Sequence, residues 1–155
     1  MKWLMPALCM SMAGAGLHAD MTDDILGDWR YDGFIYEGKR YPHPNPDLVL
    51  TFTFYPNGTN RLNWVRKSQD VTCERKADYS LNPEGKLKQK VTWLNPRNHS
   101  SCSQDPDMQL GRETEDRIYI HDDEMGIYMD LNNSELIYLL KRPESTTMTS
   151  GSMAR

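Results

Sequence analysis

The sequence predicts an all-β protein, an eight-stranded antiparallel up-and-down β-barrel that follows an N-terminal signal peptide. Three observations support this fold class. Apolar and polar residues alternate in eight short segments, turn residues separate these segments at regular intervals, and no stretch shows a helical pattern of apolar residues. Most connections are short enough to join antiparallel neighbours, which is typical of a small barrel.

The first segment, residues 1–19, has the pattern of a secretory signal peptide. It carries one charge, at Lys2, followed by a run of apolar and small residues, so we expect cleavage before Asp20. A membrane anchor would need about 20 uninterrupted apolar residues, and Pro6 is one of several interruptions. A lipid-modified Cys9 is disfavoured because a leucine precedes it, where the lipobox of bacterial lipoproteins has Gly or Ala. The sequence therefore predicts export to the periplasm or medium, with no integral membrane segment after cleavage.

The rest of the chain is long enough for one domain. Residues 20–142 should form the barrel, and residues 143–155 should form a disordered tail because they lack an apolar face. Removal of Lys2 with the signal peptide changes the formal net charge from −4 to −5. This mild acidity and the absence of a basic stripe argue against nucleic acid as a partner.

The strands follow one another in a simple order. The eight predicted strands span residues 28–36, 48–55, 59–66, 71–81, 86–94, 117–121, 125–131 and 135–142. Gly58 supplies the positive φ that a tight hairpin needs after the second strand. We expect residues 37–47 to be irregular because three prolines remove backbone donors. Residues 95–116 form a second long connection, of a length that usually indicates a lid, a binding loop or a missed strand.

Alternating strand directions place both long loops at one end, the top of the barrel. Cys73 begins a descending strand and Cys102 lies in an upper loop, so both cysteines should be at the top. An even pair in an exported chain is more often a disulfide than a metal site, and no further Cys or His lies at ligand spacing. The sequence therefore predicts a Cys73–Cys102 disulfide and no metal site.

The two ends of the predicted barrel domain carry a family resemblance. Gly27-Asp28-Trp29 at the start of the first strand, the large loop at 37–47 and Arg142 at the end of the last strand resemble the corresponding features of lipocalins. The chain has no Thr-Asp-Tyr motif before the seventh strand and no C-terminal helix after Arg142, so it is most similar to the shorter bacterial lipocalin-like (calycin-type) domains. The resemblance implies that Gly27, Trp29 and Arg142 are structural residues that close the bottom of the barrel.

A barrel of eight strands is either filled by side chains or just wide enough for one small ligand, and the sequence leaves both alternatives open. The residues expected to line a ligand site are Tyr31, Ile35, Phe52, Trp64, Trp93 and Tyr138, with Leu50 and Leu62 as further candidates. No Ser or Cys nucleophile is paired with a base by a recognisable spacing, so we expect neither catalysis nor a cofactor.

Two functions remain as hypotheses. The first is an exported lipocalin-like protein that binds a small apolar or aromatic molecule in the barrel. The alternative is a non-enzymatic module that binds a protein partner in the periplasm or envelope, such as an inhibitor or assembly factor. Its contact surface would be the loops at 37–47 and 95–116, where prolines stiffen the first loop around Tyr41.

Overall fold

A computed structural model of the protein describes residues 21–131 and 134–144. The predicted signal peptide and residues 145–155 of the predicted tail lie outside the described residues. One short helix, α1 (Met21–Asp24), precedes the strands. The strands are β1 (Gly27–Tyr36), β2 (Lys39–Pro42), β3 (Leu48–Phe54), β4 (Thr59–Arg66), β5 (Val71–Leu81), β6 (Lys86–Leu94), β7 (Glu113–His121), β8 (Glu124–Leu131) and β9 (Ser134–Lys141). Three 3-10 helices lie in the loops, at Lys67–Gln69, Ser100–Gln104 and Pro106–Met108.

Eight long strands form one closed antiparallel sheet. β1 pairs with β3, each later strand pairs with the next, and β9 returns to pair with β1. Closure leaves no long unpaired edge in the barrel wall, which removes the usual hazard of edge-to-edge association. The predicted all-β class, the closed eight-stranded barrel and the up-and-down order are confirmed.

The first long loop is more regular than the sequence analysis predicted. Lys39–Pro42 forms the short strand β2, which pairs with the upper half of β1. Glu37 and Gly38 make the two-residue turn between them, with φ of 49° and 72°. Two consecutive positive φ values belong to the turn whose twist matches a β-hairpin. The prediction of an irregular segment over 37–47 was therefore wrong for its first half.

The second long loop is also shorter than predicted. β7 begins at Glu113 rather than near residue 117, so the connection covers residues 95–112, which we call the upper loop. Two of the 3-10 helices give it a defined backbone, and the side chain of Asp105 accepts from the Asp107 N–H at the start of the second. The sequence analysis missed the helix α1 as well, because four residues are too few for a helical period.

Apolar side chains fill the bottom of the barrel. A cluster centred on Trp29, Phe54 and Met125 is almost fully buried, and Ile25 joins it from the segment after α1. Burial of this many large side chains is the main force that holds the closed end together.

A second cluster lies in the upper half of the barrel, beneath the upper loop. It contains the Cys73–Cys102 disulfide together with Leu62, Trp64 and Met108. The predicted disulfide is confirmed, and it ties the upper loop to the top of β5. Within the part of the chain that the structure describes, no helix is long and apolar enough to cross a membrane.

Candidate functional site

A cavity of about 260 Å³ lies inside the barrel and borders both apolar clusters. Residues from β1, β3 to β9, the first loop and the upper loop line it. They are Tyr31, Pro44, Leu48, Leu50, Phe52, Leu62, Arg75, Gln89, Asp107, Arg112, Thr114, Asp116, Ile127, Met129, Tyr138 and Leu140. These residues enclose the cavity only in part.

The cavity has an apolar side and a polar side. Leu50 and Phe52 on β3 face the same interior as Ile127 on β8 and Leu140 on β9. These side chains offer hydrocarbon surface to any molecule inside. An occupant therefore gains most from burial of an apolar part on this side.

The polar side is built from β5, β6 and β7, with Arg75 at its centre. Arg75 is 4% exposed, and its Nη1 donates to the Asn60 Oδ1 over 2.8 Å. Its Nη2 lies 3.3 Å from the Gln89 Oε1, and the Asn60 amide donates to the same Gln89 oxygen over 2.9 Å. Burial lowers the pKa of Arg75 to about 10, so the guanidinium is still charged at neutral pH. A cation thus faces the interior, held by neutral amides.

Three charged groups of the cavity wall lie in or near the upper loop. The Arg112 Nε lies 3.5 Å from the Asp107 Oδ1, and Asp116 follows on β7. Burial raises the pKa of the Asp107 carboxyl above its usual value, and the neighbouring Asp105 raises it further. Burial also raises the pKa of Asp116. These acids make additional negative charge in the cavity costly.

Aromatic rings close part of the cavity near the first loop. The Tyr31 ring lies 4.5 Å from the His43 ring and 5.3 Å from the Tyr138 ring, between ring centres. Burial, and secondarily the neighbouring Tyr138, raise the pKa of Tyr31 to about 12. The His43 Nδ1 accepts from the Asn45 N–H over 3.1 Å, which leaves the proton on Nε2 in the neutral ring. That buried Nε2 has no hydrogen-bond partner among the described residues.

The opposite end of the barrel is shut by Trp29 and Arg142. The guanidinium carbon of Arg142 lies 4.2 Å from the centre of the Trp29 ring. Its Nη1 and Nη2 donate to the Leu26 and Asp24 carbonyl oxygens over 2.8 and 2.7 Å. Gly27 has φ of 98°, and a β-carbon there would lie 3.1 Å from the Arg142 Nη1. The arrangement closes the bottom and leaves these residues away from the cavity.

The structure places only part of the expected lining set in the cavity. Tyr31, Phe52 and Tyr138 line it, but Ile35 does not. A bulge between Tyr31 and Gly33 shifts the pairing of β1 with β9, so Ile35 lies opposite Ile137. Because Tyr138 and Leu140 point inwards and successive strand residues alternate, Ile137 and its partner Ile35 lie on the outer face.

The two expected tryptophans also lie outside the lining. Trp64 packs in the cluster around the disulfide, where its Nε1 donates to the Asp105 Oδ2 over 2.9 Å. Trp93 is 37% exposed, and the Lys76 ammonium lies 5.0 Å from the centre of its ring. A register shift between β5 and β6 occurs beside Trp93 and accounts for its outward position.

Sequence reasoning missed the polar residues of the interior. Arg75 lies between Cys73 and Ala77 in the alternation of β5, and all three are buried. That parity was visible in the sequence and places a charged side chain on the inner face. Gln89, between Leu87 and Val91 on β6, follows the same pattern.

No group of three His, Cys, Asp or Glu side chains within residues 21–131 and 134–144 could hold a metal ion. Comparison of the chain with models of known protein families and with curated proteins finds no match.

Proposed function

We propose that this chain is an exported, lipocalin-like binding protein that holds one small molecule with a largely apolar body inside its barrel. The observation that carries the proposal is the cavity between the closed bottom and the upper loop. A barrel whose only task was structural would be expected to fill this space with side chains, because protein interiors are close-packed.

The size of the cavity limits the ligand. The cavity has a volume of about 260 Å³. This is slightly below the usual range for sites that bind drug-sized molecules. A short aliphatic chain or a single substituted ring fits this volume, and a steroid or a long lipid does not.

The disulfide supports the export part of the proposal. Such bonds persist in oxidising compartments and are rare in reducing ones. The lipocalin-like part is supported by the closed barrel and by the Trp29–Arg142 contact at its bottom. We assign the cavity to binding and not to catalysis, because its charged groups include no nucleophile paired with a base among the described residues.

A cavity-filling variant tests the proposal. Leu50→Trp puts an indole into the cavity, whereas Thr51→Trp puts the same ring on the other face of β3. Isothermal titration calorimetry with octan-1-ol as the probe should show one saturable site in the parent and in Thr51→Trp, and none in Leu50→Trp. Circular dichroism establishes that each variant is folded.

Failure of the parent to bind octan-1-ol would contradict the proposal, as would unchanged binding by a folded Leu50→Trp. If Leu50→Trp does not fold, Ile127→Phe fills the same cavity from β8 and gives the same reading.

The second candidate, a protein-binding module, is favoured by one observation. Leu110, near the C-terminal end of the upper loop, is 67% exposed, and the disulfide and 3-10 helices hold this loop in a defined conformation. An exposed apolar residue on a fixed loop is suited to docking because little entropy is lost. Leu110→Asp should abolish capture of a partner if this candidate is correct and should leave octan-1-ol binding unchanged.

A further inference from the structure

The wall of the barrel has a weak seam between the upper halves of β7 and β8. The pairing of these two strands covers four residues of each and ends at Ile118 and Ile127. Above this level, among the described residues, 113–117 pair only with β6 and 128–131 pair only with β9. The facing edges of β7 and β8 are therefore not held together by sheet hydrogen bonds in their upper halves.

The other short seams of the barrel are completed by a further segment. β1 and β3 also pair over four residues, but β2 takes the upper edge of β1. β6 and β7 pair over five residues, and above them the Val91 N–H donates to the Arg112 carbonyl while the Gly111 N–H donates to the Val91 carbonyl. Within the part of the chain that the structure describes, no segment takes this place between β7 and β8, and a groove remains in the wall.

The groove communicates with the cavity. Asp116 on β7 and Met129 on β8 line both of them. Tyr138, which lines the cavity from β9, is paired with Ile127 at the level where β7 and β8 separate, and it is 37% exposed. Solvent thus reaches an inward-facing ring at this level of the wall.

The top of the cavity is harder to open than this seam. Asp107 and Arg112 of the upper loop line the cavity, and the disulfide ties that loop to β5. The Trp64 Nε1 donates to the Asp105 Oδ2 over 2.9 Å, and Met108 of the same loop is 3% exposed in the apolar cluster beneath it. Lifting the loop would expose this cluster to water, which is costly. Separating the upper halves of β7 and β8 breaks no hydrogen bond of their ladder.

Side chains on the outer face hold the seam instead. The guanidinium carbon of Arg117 on β7 lies 3.7 Å from the centre of the Tyr128 ring on β8. Its Nη2 donates to the Glu135 Oε2 on β9 over 3.0 Å. Exposed contacts of this kind are weak, and exposed side chains change rotamer rapidly. This latch can therefore open while the strands stay folded.

We propose that small ligands enter and leave the cavity sideways, through the seam between β7 and β8, with Arg117 as the gate residue. This inference rests on the proposed function and adds the route by which the same cavity is filled. A gate changes the height of the barrier in both directions. It therefore changes the association and dissociation rates by the same factor and leaves Kd unchanged.

Two cysteine variants that carry the same bulky maleimide label test the route. Glu115→Cys places the label at the groove on an exposed position of β7, and Pro44→Cys places it on the first loop at the top of the cavity. Methyl NMR exchange spectra of Ile127, recorded at several octan-1-ol concentrations, give both rate constants. The label at position 115 should slow both rates roughly tenfold or more, because it obstructs the gate. The label at position 44 should leave them unchanged.

The label reacts only with the introduced cysteine. The chain that begins at Asp20 does not contain Cys9, and the cysteines at positions 73 and 102 are joined in the disulfide. Calorimetric titration with octan-1-ol should give the same Kd for both labelled proteins and the parent, which separates an effect on the route from damage to the cavity.

Removal of the latch should have the opposite effect. Arg117→Ala should speed both rates by about 3- to 10-fold at an unchanged Kd, since only weak side-chain contacts are lost. Arg61→Ala is the matched control, because the Arg61 Nε lies 2.7 Å from the Glu74 Oε1 on the outer face of the β4–β5 seam, which is paired over eight residues. This control should leave both rates unchanged.

The outcomes separate the route from the binding itself. Unchanged exchange in the labelled Glu115→Cys protein, or a larger slowing by the label at Pro44 than by the label at Glu115, would overturn the inference while leaving the proposed function standing. Equal rates in the parent and Arg117→Ala would remove Arg117 as the gate residue. Failure of the parent to bind octan-1-ol at all would overturn the proposed function and the inference together.

Discussion

The contact of Arg142 with the bottom of the barrel should be one of the strongest single stabilising features of the fold. Arg142→Ala removes a hydrogen bond of 2.8 Å to the part-buried Leu26 carbonyl and a more exposed one of 2.7 Å to the Asp24 carbonyl. It also removes a cation that lies 4.2 Å from the centre of the Trp29 ring. The part-buried bond should contribute about 1.5–2 kcal/mol, the exposed one about 0.5–1 and the ring contact about 0.5–1.

The free energy of unfolding should therefore fall by about 2.5–4 kcal/mol in Arg142→Ala. Equilibrium unfolding in urea, followed by tryptophan fluorescence and circular dichroism, measures this change as a lower midpoint at an unchanged slope. Arg142→Lys should lose about half as much, because it keeps the charge and one donor.

A matched control distinguishes the effect of Arg142 from that of an exposed arginine that lies over an aromatic ring. The Arg117 guanidinium lies 3.7 Å from the centre of the Tyr128 ring, but its ion pair with Glu135 is exposed. Arg117→Ala should cost less than about 1 kcal/mol, since exposed ion pairs contribute little. A change below about 1 kcal/mol in Arg142→Ala, or equal losses in the two alanine variants, would refute the reasoning.

Three further predictions concern the upper half of the barrel. Reduction of the Cys73–Cys102 disulfide opens a loop of 29 residues and should lower the free energy of unfolding by about 3.5 kcal/mol. Urea titrations with and without reductant measure this difference, and equal midpoints would show that the disulfide does not stabilise the fold. Trp64→Phe removes the hydrogen bond to Asp105 and should speed amide hydrogen exchange throughout the upper loop, with unchanged exchange as the contrary result. Because burial raises the pKa of Asp116, the folded state holds its proton more tightly than the unfolded chain, and this contribution to stability is lost as the pH rises through the raised pKa. Asp116→Asn should therefore be more stable relative to the parent at pH 7.5 than at pH 4, and the opposite order in urea midpoints would contradict the sign.

Strand alternation and turn residues were sufficient to predict the closed barrel and its disulfide. The direction of each strand follows from counting, and this placed Cys73 and Cys102 at the same end without any knowledge of side-chain contacts. Gly58 marked a hairpin correctly because a positive φ of 77° is needed there. These features depend on the local chemistry of turn residues and on the alternation of strand directions, and both can be read from the sequence.

Features that depend on register were harder to predict. A single bulge after Tyr31 moves Ile35 from the inner to the outer face, and the sequence analysis found no local signal that predicts this bulge. The strand β2 was missed because the prolines that follow it dominated the interpretation, although Glu37 and Gly38 form a tight turn. Pairing with β1 outweighed the local preference for an irregular chain.

The polar interior was missed for a different reason. Arg75 has the correct parity for an inward position, but a charged residue in a strand is usually assigned to the solvent side. Its burial is sustained by the amides of Asn60 and Gln89, which come from two other strands. Such a cluster forms only when three strands are in register, so the separate segments do not reveal it.

Native mass spectrometry of the parent and of Leu50→Trp, each mixed with octan-1-ol, tests the central claim most directly. A hollow barrel with one binding site predicts a single one-to-one complex for the parent and the bare mass for the variant. A bare parent, or complexes of several octan-1-ol molecules that appear equally in both proteins, would show that the cavity is not a binding site.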